Sequence, residues 1–331
     1  MPLSLGRLRP TLLCVVATAA LVAGAATVPQ SLGTAAQGVT RPSDDAAKAT
    51  TVTGFRPFKH TSYWNTRLGD APRSRHSAAW LRDSLKGSHT QNYLKLVLGD
   101  WGMPVYRSHA SNPLYRISSS GHTVKVHIPA KARPMAADDA ALVIIDRATH
   151  QVVSLEGARY ANGKWTTSGL SRYGYGTNGI AGGLRGGVKA NFGHRGIPGS
   201  VRAVTRAEIR RGAIRHRLEV YWWETPSRTP GGKSAYFPMT ESESGKTGVV
   251  PEGAVIRLKR SVNLRALHLS RGARIIARAL QKYGAVVGDN SGTGNSLKLQ
   301  GHVSWRGILN KDSLKRIPWR DYVFVKGGYR P

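Results

Sequence analysis

Cysteine is nearly absent from this chain of 331 residues; Cys14 is the only one. It lies in an apolar opening segment, so the rest of the chain has no disulfide, thiolate metal ligand or cysteine nucleophile to draw on. Acidic residues are the second scarcity: 18 Asp and Glu stand against 49 Lys and Arg, for a formal net charge of +31. Carboxylate chemistry therefore has few candidates, and each counts for more. The 11 histidines are dispersed, with no H-x-x-x-H helix and no calcium-loop carboxylate spacing, so no metal centre and no other cofactor is expected. His127 falls on an alternating strand, where a packed or surface role explains it. Beyond the opening segment no apolar run reaches about 18 residues, which argues against a transmembrane helix.

The opening segment reads as an export signal. Arg7 and Arg9 form a basic start, Thr11 to Val28 is apolar and rich in small residues, and Ala23-Gly24-Ala25 and Thr34-Ala35-Ala36 resemble cleavage sites. Residues 1–36 are expected to be this signal, 37–53 a disordered polar linker, and 54–331 one mainly-β extracellular domain. Removal after Ala36 leaves 47 basic and 18 acidic residues. A secreted or wall-retained protein of that charge meets polyanions. The cations are scattered from Arg56 to Arg330, which favours solubility or retention at an anionic wall over a shaped groove. Two GK[ST] triplets, Gly232-Lys233-Ser234 and Gly245-Lys246-Thr247, lack the upstream glycine and the strand–loop–helix context of a phosphate loop.

Short strands dominate the expected architecture. Val124 to Ile128 alternates with period two, and Ala141 to Ile145 is a continuous apolar run fit for a strand buried on both faces. Ser77 to Leu98 suits a short helix followed by a loop and strand. Thr205 to Arg211 carries a Thr-x-x-Glu capping box closed by Gly212. Leu218 to Trp223 and Val255 to Leu258 read as strands. Arg271 to Tyr283 is a helix capped by Ser270, with Ile275, Ile276, Ala279 and Leu280 on one face, and Ala285 to Val287 continues as a strand. Many strands, few short helices and frequent turns predict a mainly-β, single-domain, β-sandwich or jelly-roll-like fold.

Tyr160 to Gly196 holds 11 glycines in 37 residues, interleaved with Trp165, Tyr173, Tyr175 and Phe192. That density predicts a long turning loop, either a sugar platform or an Ω-loop packed on its own rings. In the first case Trp165, Tyr173, Tyr175, Asn178 and Arg195 bind substrate. A glycoside hydrolase needs two carboxylates in different environments. Asp138 and Asp139 before the buried strand, Glu208, and Asp289 at a strand end are candidates, although turn capping explains the aspartates and the capping box explains Glu208. Glu219 shares a strand face with Tyr221 and Trp223, Glu224 with Trp222. A lyase instead uses His or Tyr as base and cations against a uronate, for which His194 and Arg195 are available.

Pro251-Glu252-Gly253-Ala254-Val255-Ile256-Arg257-Leu258, Ala277 to Gly284, Val287-Gly288-Asp289-Asn290, Tyr63-Trp64-Asn65 and the Glu208, Gly212, Ile214, His216 pattern together resemble a group of secreted actinobacterial proteins, most without an assigned activity. Asp138-Asp139-Ala140-Ala141 stands where the group carries an Asp-Gly-His-like stretch. The resemblance implies one mainly-β extracellular domain in a carbohydrate-associated setting. The functional expectation is a protein that binds an anionic or cell-wall polysaccharide and cleaves it as a hydrolase or lyase. The alternatives are a non-enzymatic wall protein held by charge and an extracellular nucleic-acid binder, the latter disfavoured by export.

Overall fold

The computed structural model describes residues 57–86, 91–182, 191–243, 247–291 and 294–331. The expected signal and linker lie outside the described residues. Short strands form two main sheets, whose central strands are buried on both faces. Numbered in chain order, the larger runs β1 (Lys95–Val97), β13 (Ser296–Lys298), β10 (Leu218–Trp222), β12 (Ala285–Asn290), β11 (Val255–Leu258), β14 (Tyr322–Phe324). The smaller runs β2 (Val105–Ser108), β5 (Leu142–Asp146), β6 (Gln151–Glu156), β9 (Gly169–Gly174). Two hairpins flank them, β3 (Leu114–Ser119) with β4 (His122–His127) and β7 (Arg159–Ala161) with β8 (Lys164–Thr166). The fold is mainly β, as expected. Pairing is parallel in β1–β13, β10–β12 and β2–β5, so it is not built of antiparallel strands alone as a jelly roll is.

Helices are short: α1 (Ser77–Asp83), α2 (Arg206–Arg211) and α3 (Arg271–Lys282). Both halves of the Thr205–Glu208 capping box are present at α2. Ser270 Oγ accepts from Ala273 N (3.3 Å) at the start of α3, and Gly284 follows its end with φ +70°. Ile276 and Leu280 of α3 are fully buried in the core on one side of the larger sheet, each contributing about 1.5–3 kcal/mol. Among the described residues no helix is long and apolar enough to cross a membrane.

A second core lies between the sheets. Val143, Ile145, Val152 and Tyr173 from the smaller sheet meet Val255 and Val286 from the larger one, with Ile197, Val201 and Ala203 wedged among them. Alternation decides what faces this layer. In β10, Leu218, Val220 and Trp222 enter the α3 core, which turns Glu219 and Tyr221 inward. In β6, Val153 and Leu155 face away, which turns Val152, Ser154 and Glu156 inward. A bulge then resets β12: Val220 pairs with Val287 but Tyr221 pairs with Asp289, so Gly288 is the extra residue and Asp289 joins the face of Glu219 and Tyr221.

The glycine-rich stretch is less irregular than its composition predicts. Its first half forms β7, β8 and β9, because Asn162 (φ +49°) and Gly163 (φ +76°) supply the two left-handed positions of a tight hairpin turn. Residues 183–190 of it lie outside the described residues.

Candidate functional site

Scarce carboxylates converge where the two sheets and residues 193–202 meet. Asp139, Glu156, Glu219, Glu241, Glu243, Glu252 and Asp289, seven of the chain's 18 acidic residues, line two adjoining cavities or pair with groups that do. Against them stand three cations, Arg195, Arg202 and Lys298. A strongly basic protein thus holds one electronegative cleft.

His194 is at its centre. Its Nδ1 lies 3.6 Å from Glu156 Oε1, and its Nε2 lies 3.6 Å from Glu219 Oε1 and 4.0 Å from Asp289 Oδ2. Burial, reinforced by the neighbouring Arg202 charge, pushes the imidazole down to about 4, so it is neutral at physiological pH. Nε2 has no hydrogen-bond partner. The backbone that delivers it is strained: Gly193, His194, Arg195 and Gly196 all have positive φ (+88°, +45°, +48°, +102°). Non-glycine residues rarely adopt that region, and consecutive ones cluster at functional sites. The strain is held by close packing. Tyr173 Oη donates to Gly193 O (2.9 Å), Thr240 N donates to Arg195 O (2.9 Å), and a Cβ at Gly193 would stand 2.5 Å from Leu170 O.

Two arginines hold the carboxylates. Arg202, fully buried, donates from Nη1 to Glu156 Oε1 and places Nε 3.4 Å from Glu219 Oε2. Its carboxylate partners keep its pKa well above the ordinary value despite burial. Gly288 gives the Glu219 carboxylate its room, since a Cβ there would lie 2.5 Å from Oε1. Arg195 donates from Nη2 to Asp289 Oδ1 (2.5 Å) and from Nε to Glu252 Oε2 (3.2 Å). Beyond Asp289, Lys298 Nζ sits 4.3 Å from the Tyr221 ring centroid and 3.5 Å from Asp139 Oδ2; burial lowers its pKa.

Two cavities meet at the Arg195–Asp289 pair and together make up the cleft. One cavity of about 380 Å³ is lined by Glu156, His194, Arg195, Glu241 and the stacked rings of His122 and Phe192 (3.9 Å between centroids). The other, about 370 Å³, is lined by Asp289, Glu243, Asp139, Lys298, Tyr221 and the exposed Trp101. Oxygens of Glu243, Glu252 and Asp289 lie within 4.8 Å of one another, a spacing open to a cation. The Arg195 guanidinium already engages two of the three, and the Asn290 amide donates to Glu243 Oε2 (2.5 Å).

Glu252 is fully buried and its carboxyl is pushed up to about 7 by desolvation, against the opposing pull of Arg195. A carboxyl raised in the folded state keeps a proton that the unfolded chain has released. Its contribution to stability is complete below the ordinary carboxylate range and is lost as pH rises through 7. His194, whose folded pKa is lowered, acts oppositely, but only below its unfolded value of 6.5. From pH 6.5 to 8 Glu252 is thus the titrating member of the pair. Denaturant unfolding should give a stability loss of roughly 1 kcal/mol across that interval, and Glu252→Gln should remove it. An equal loss in the variant rejects the assignment.

Of the residues expected from sequence, the structure brings together Asp139, Asp289, His194 and Arg195. Asp138 is exposed and lines neither cavity. Glu208 is consumed by its cap: Oε2 accepts from Thr205 N (2.9 Å) and Oγ1 (2.7 Å), and Oε1 lies 2.7 Å from His216 Nε2. The expected sugar platform is not in the cleft. Trp165 is buried in the outer core against Tyr160, Tyr173 is buried between the sheets, Tyr175 stacks on His150, and exposed Asn178 accepts from its own loop at Ile180 N. Glycine let these rings fold inward to fill space. The rings that do line the cleft are Trp101, Tyr221, and Phe192 with the stacked His122. Glu156, Arg202, Glu241, Glu243, Glu252 and Lys298 are cleft residues that the sequence does not single out: each ends, follows or lies in an unremarkable segment. Only the inward alternation of Ser154 and Glu156 marks one of them locally.

Comparison of the chain with protein-family models, with curated proteins and with solved structures found no match.

Proposed function

We propose that the cleft is the hydrolytic site of an extracellular enzyme acting on a cell-wall polysaccharide. One observation carries this reading: three of the few carboxylates of a strongly basic chain, Glu156, Glu219 and Asp289, stand within 4.0 Å of a neutral, buried histidine at a cleft. Glu156 and Asp289 flank His194, and each is partly exposed and held by its own arginine. Hydrolysis of a glycoside uses such a pair, one to protonate the leaving oxygen and one to activate water or attack the sugar. The excess of carboxylates over cations favours neutral or amino-sugar units over a polyuronate. A lyase needs cations open to the substrate carboxylate, and both Arg195 and Arg202 are committed to protein carboxylates. The resemblance to secreted actinobacterial proteins supports the same extracellular, carbohydrate-associated setting.

Incubation with a panel of wall and plant polysaccharides, followed by reducing-end assay, tests this. New reducing ends without the absorbance of an unsaturated uronate are expected. Unsaturated products would transfer the site to lyase chemistry. No product from any polymer would return the protein to the non-enzymatic reading, a wall protein held by charge.

A further inference from the structure

The basic residues are not spread evenly either. Two grooves at the C-terminal end of α3, of about 460 and 350 Å³, share Arg67 and Lys282 and so form one continuous surface. Its lining includes Arg215, Arg257, Arg260 and Arg278, and its one carboxylate, Asp70, is paired with Arg260. Part of this charge has a structural purpose. Arg257 donates to Gly69 O (2.9 Å) and Gln281 O (3.1 Å), the buried Arg217 Nε donates to Tyr283 O (2.8 Å), and Leu68 N donates to Lys282 O (2.9 Å). The carbonyls ending α3 are thereby satisfied. Arg67, Arg215, Arg278 and Lys282 remain exposed, and none belongs to an ion pair among the described residues.

Helix stability accounts for only part of this charge: Lys282 lies in the last turn, where the dipole favours it, and Arg271 and Arg274 donate to the carbonyls of Ile209, Arg210 and Leu269. α3 contains no acidic residue, and its exposed face carries Arg271, Arg274, Arg278 and Lys282 at i, i+3, i+7 and i+11, a stripe about 16 Å long. Arg271 and Arg274 stand in the first turn, where the helix dipole opposes positive charge.

We propose that this groove and the outer face of α3 dock a phosphodiester polyanion with a non-aromatic repeat, such as a polyol phosphate chain. Arginine dominates the surface, and its planar fork matches phosphate oxygens in pairs. The one aromatic lining the grooves, Tyr283, is buried, so no ring is available to stack nucleobases. The surface shares no lining residue with the acidic cleft, so a docked chain leaves the cleft open.

The test is binding of the full chain to labelled inorganic polyphosphate between about 50 and 200 mM salt. Arg67→Gln, Arg278→Gln and Lys282→Gln combined should weaken binding at least tenfold and reduce the log–log salt slope by about two. Arg116→Gln, Lys125→Gln and Lys164→Gln combined, the same charge change on the two hairpins, should stay within twofold. Equal losses in both triples overturn the proposal in favour of diffuse charge. Stronger competition by a single-stranded oligonucleotide than by poly(glycerol phosphate), at equal phosphate, overturns it in favour of nucleic acid. Hydrolysis of a soluble oligosaccharide should be unchanged in the groove triple, which keeps this outcome separate from failure of the cleft reading.

Discussion

Arg202→Met is expected to destabilise the folded domain by about 3–5 kcal/mol and to lower Tm by roughly 10 °C. Arg202 is 2% exposed, and its guanidinium is shared between Glu156 and the fully buried Glu219. Methionine fills a similar volume, so the loss is electrostatic: Glu219 is left in a low-dielectric layer without its paired cation, beside the neutral His194 imidazole and the Tyr221 hydroxyl. Removing one partner of a buried pair costs far more than the pair contributes net, because the remaining charge is stranded. Arg260→Met is the control. The Arg260–Asp70 pair is largely exposed, so its loss should stay within about 1 kcal/mol. Guanidinium chloride unfolding of both variants decides the matter; equal losses would show that the Arg202 pairings are not the source.

Glu156→Gln and Asp289→Asn should each lower kcat on the polysaccharide by about 10²–10⁴-fold while leaving the fold intact. Both side chains are about a quarter exposed, each amide oxygen can still accept from its arginine, and Arg202 and Arg195 keep Glu219 and Glu252 as charged partners. The two variants should also separate by rescue. With an activated aryl glycoside, the variant lacking the proton donor recovers activity, since a good leaving group departs without protonation. Added azide restores turnover in the variant lacking the base or nucleophile. Rescue of neither, with loss confined to KM, would make the two residues binding groups and reject the hydrolytic assignment.

Local sequence rules worked well for elements whose signals lie within one turn or strand. The Thr205–Glu208 box, the Ser270 cap and the apolar face of α3 are each complete within 4 to 12 residues, and the structure reproduces them. The aromatic–glycine segment misled because the same composition serves a sugar platform and a self-packed loop. Which one forms depends on the neighbouring sheet, against which Tyr173 and Trp165 are buried.

By itself the sequence determined a mainly-β chain of strong positive charge, with few carboxylates and no thiol chemistry outside its opening segment. Those properties are sums over residues or patterns of short period. Only tertiary structure decided where the scarce carboxylates meet. Glu156, Glu219 and Asp289 come from β6, β10 and β12, and Asp289 faces the others because one bulge at Gly288 inverts its side. Charges far apart along the chain interact only once sheet pairing sets their separation, and a single inserted residue changes which of them face one another.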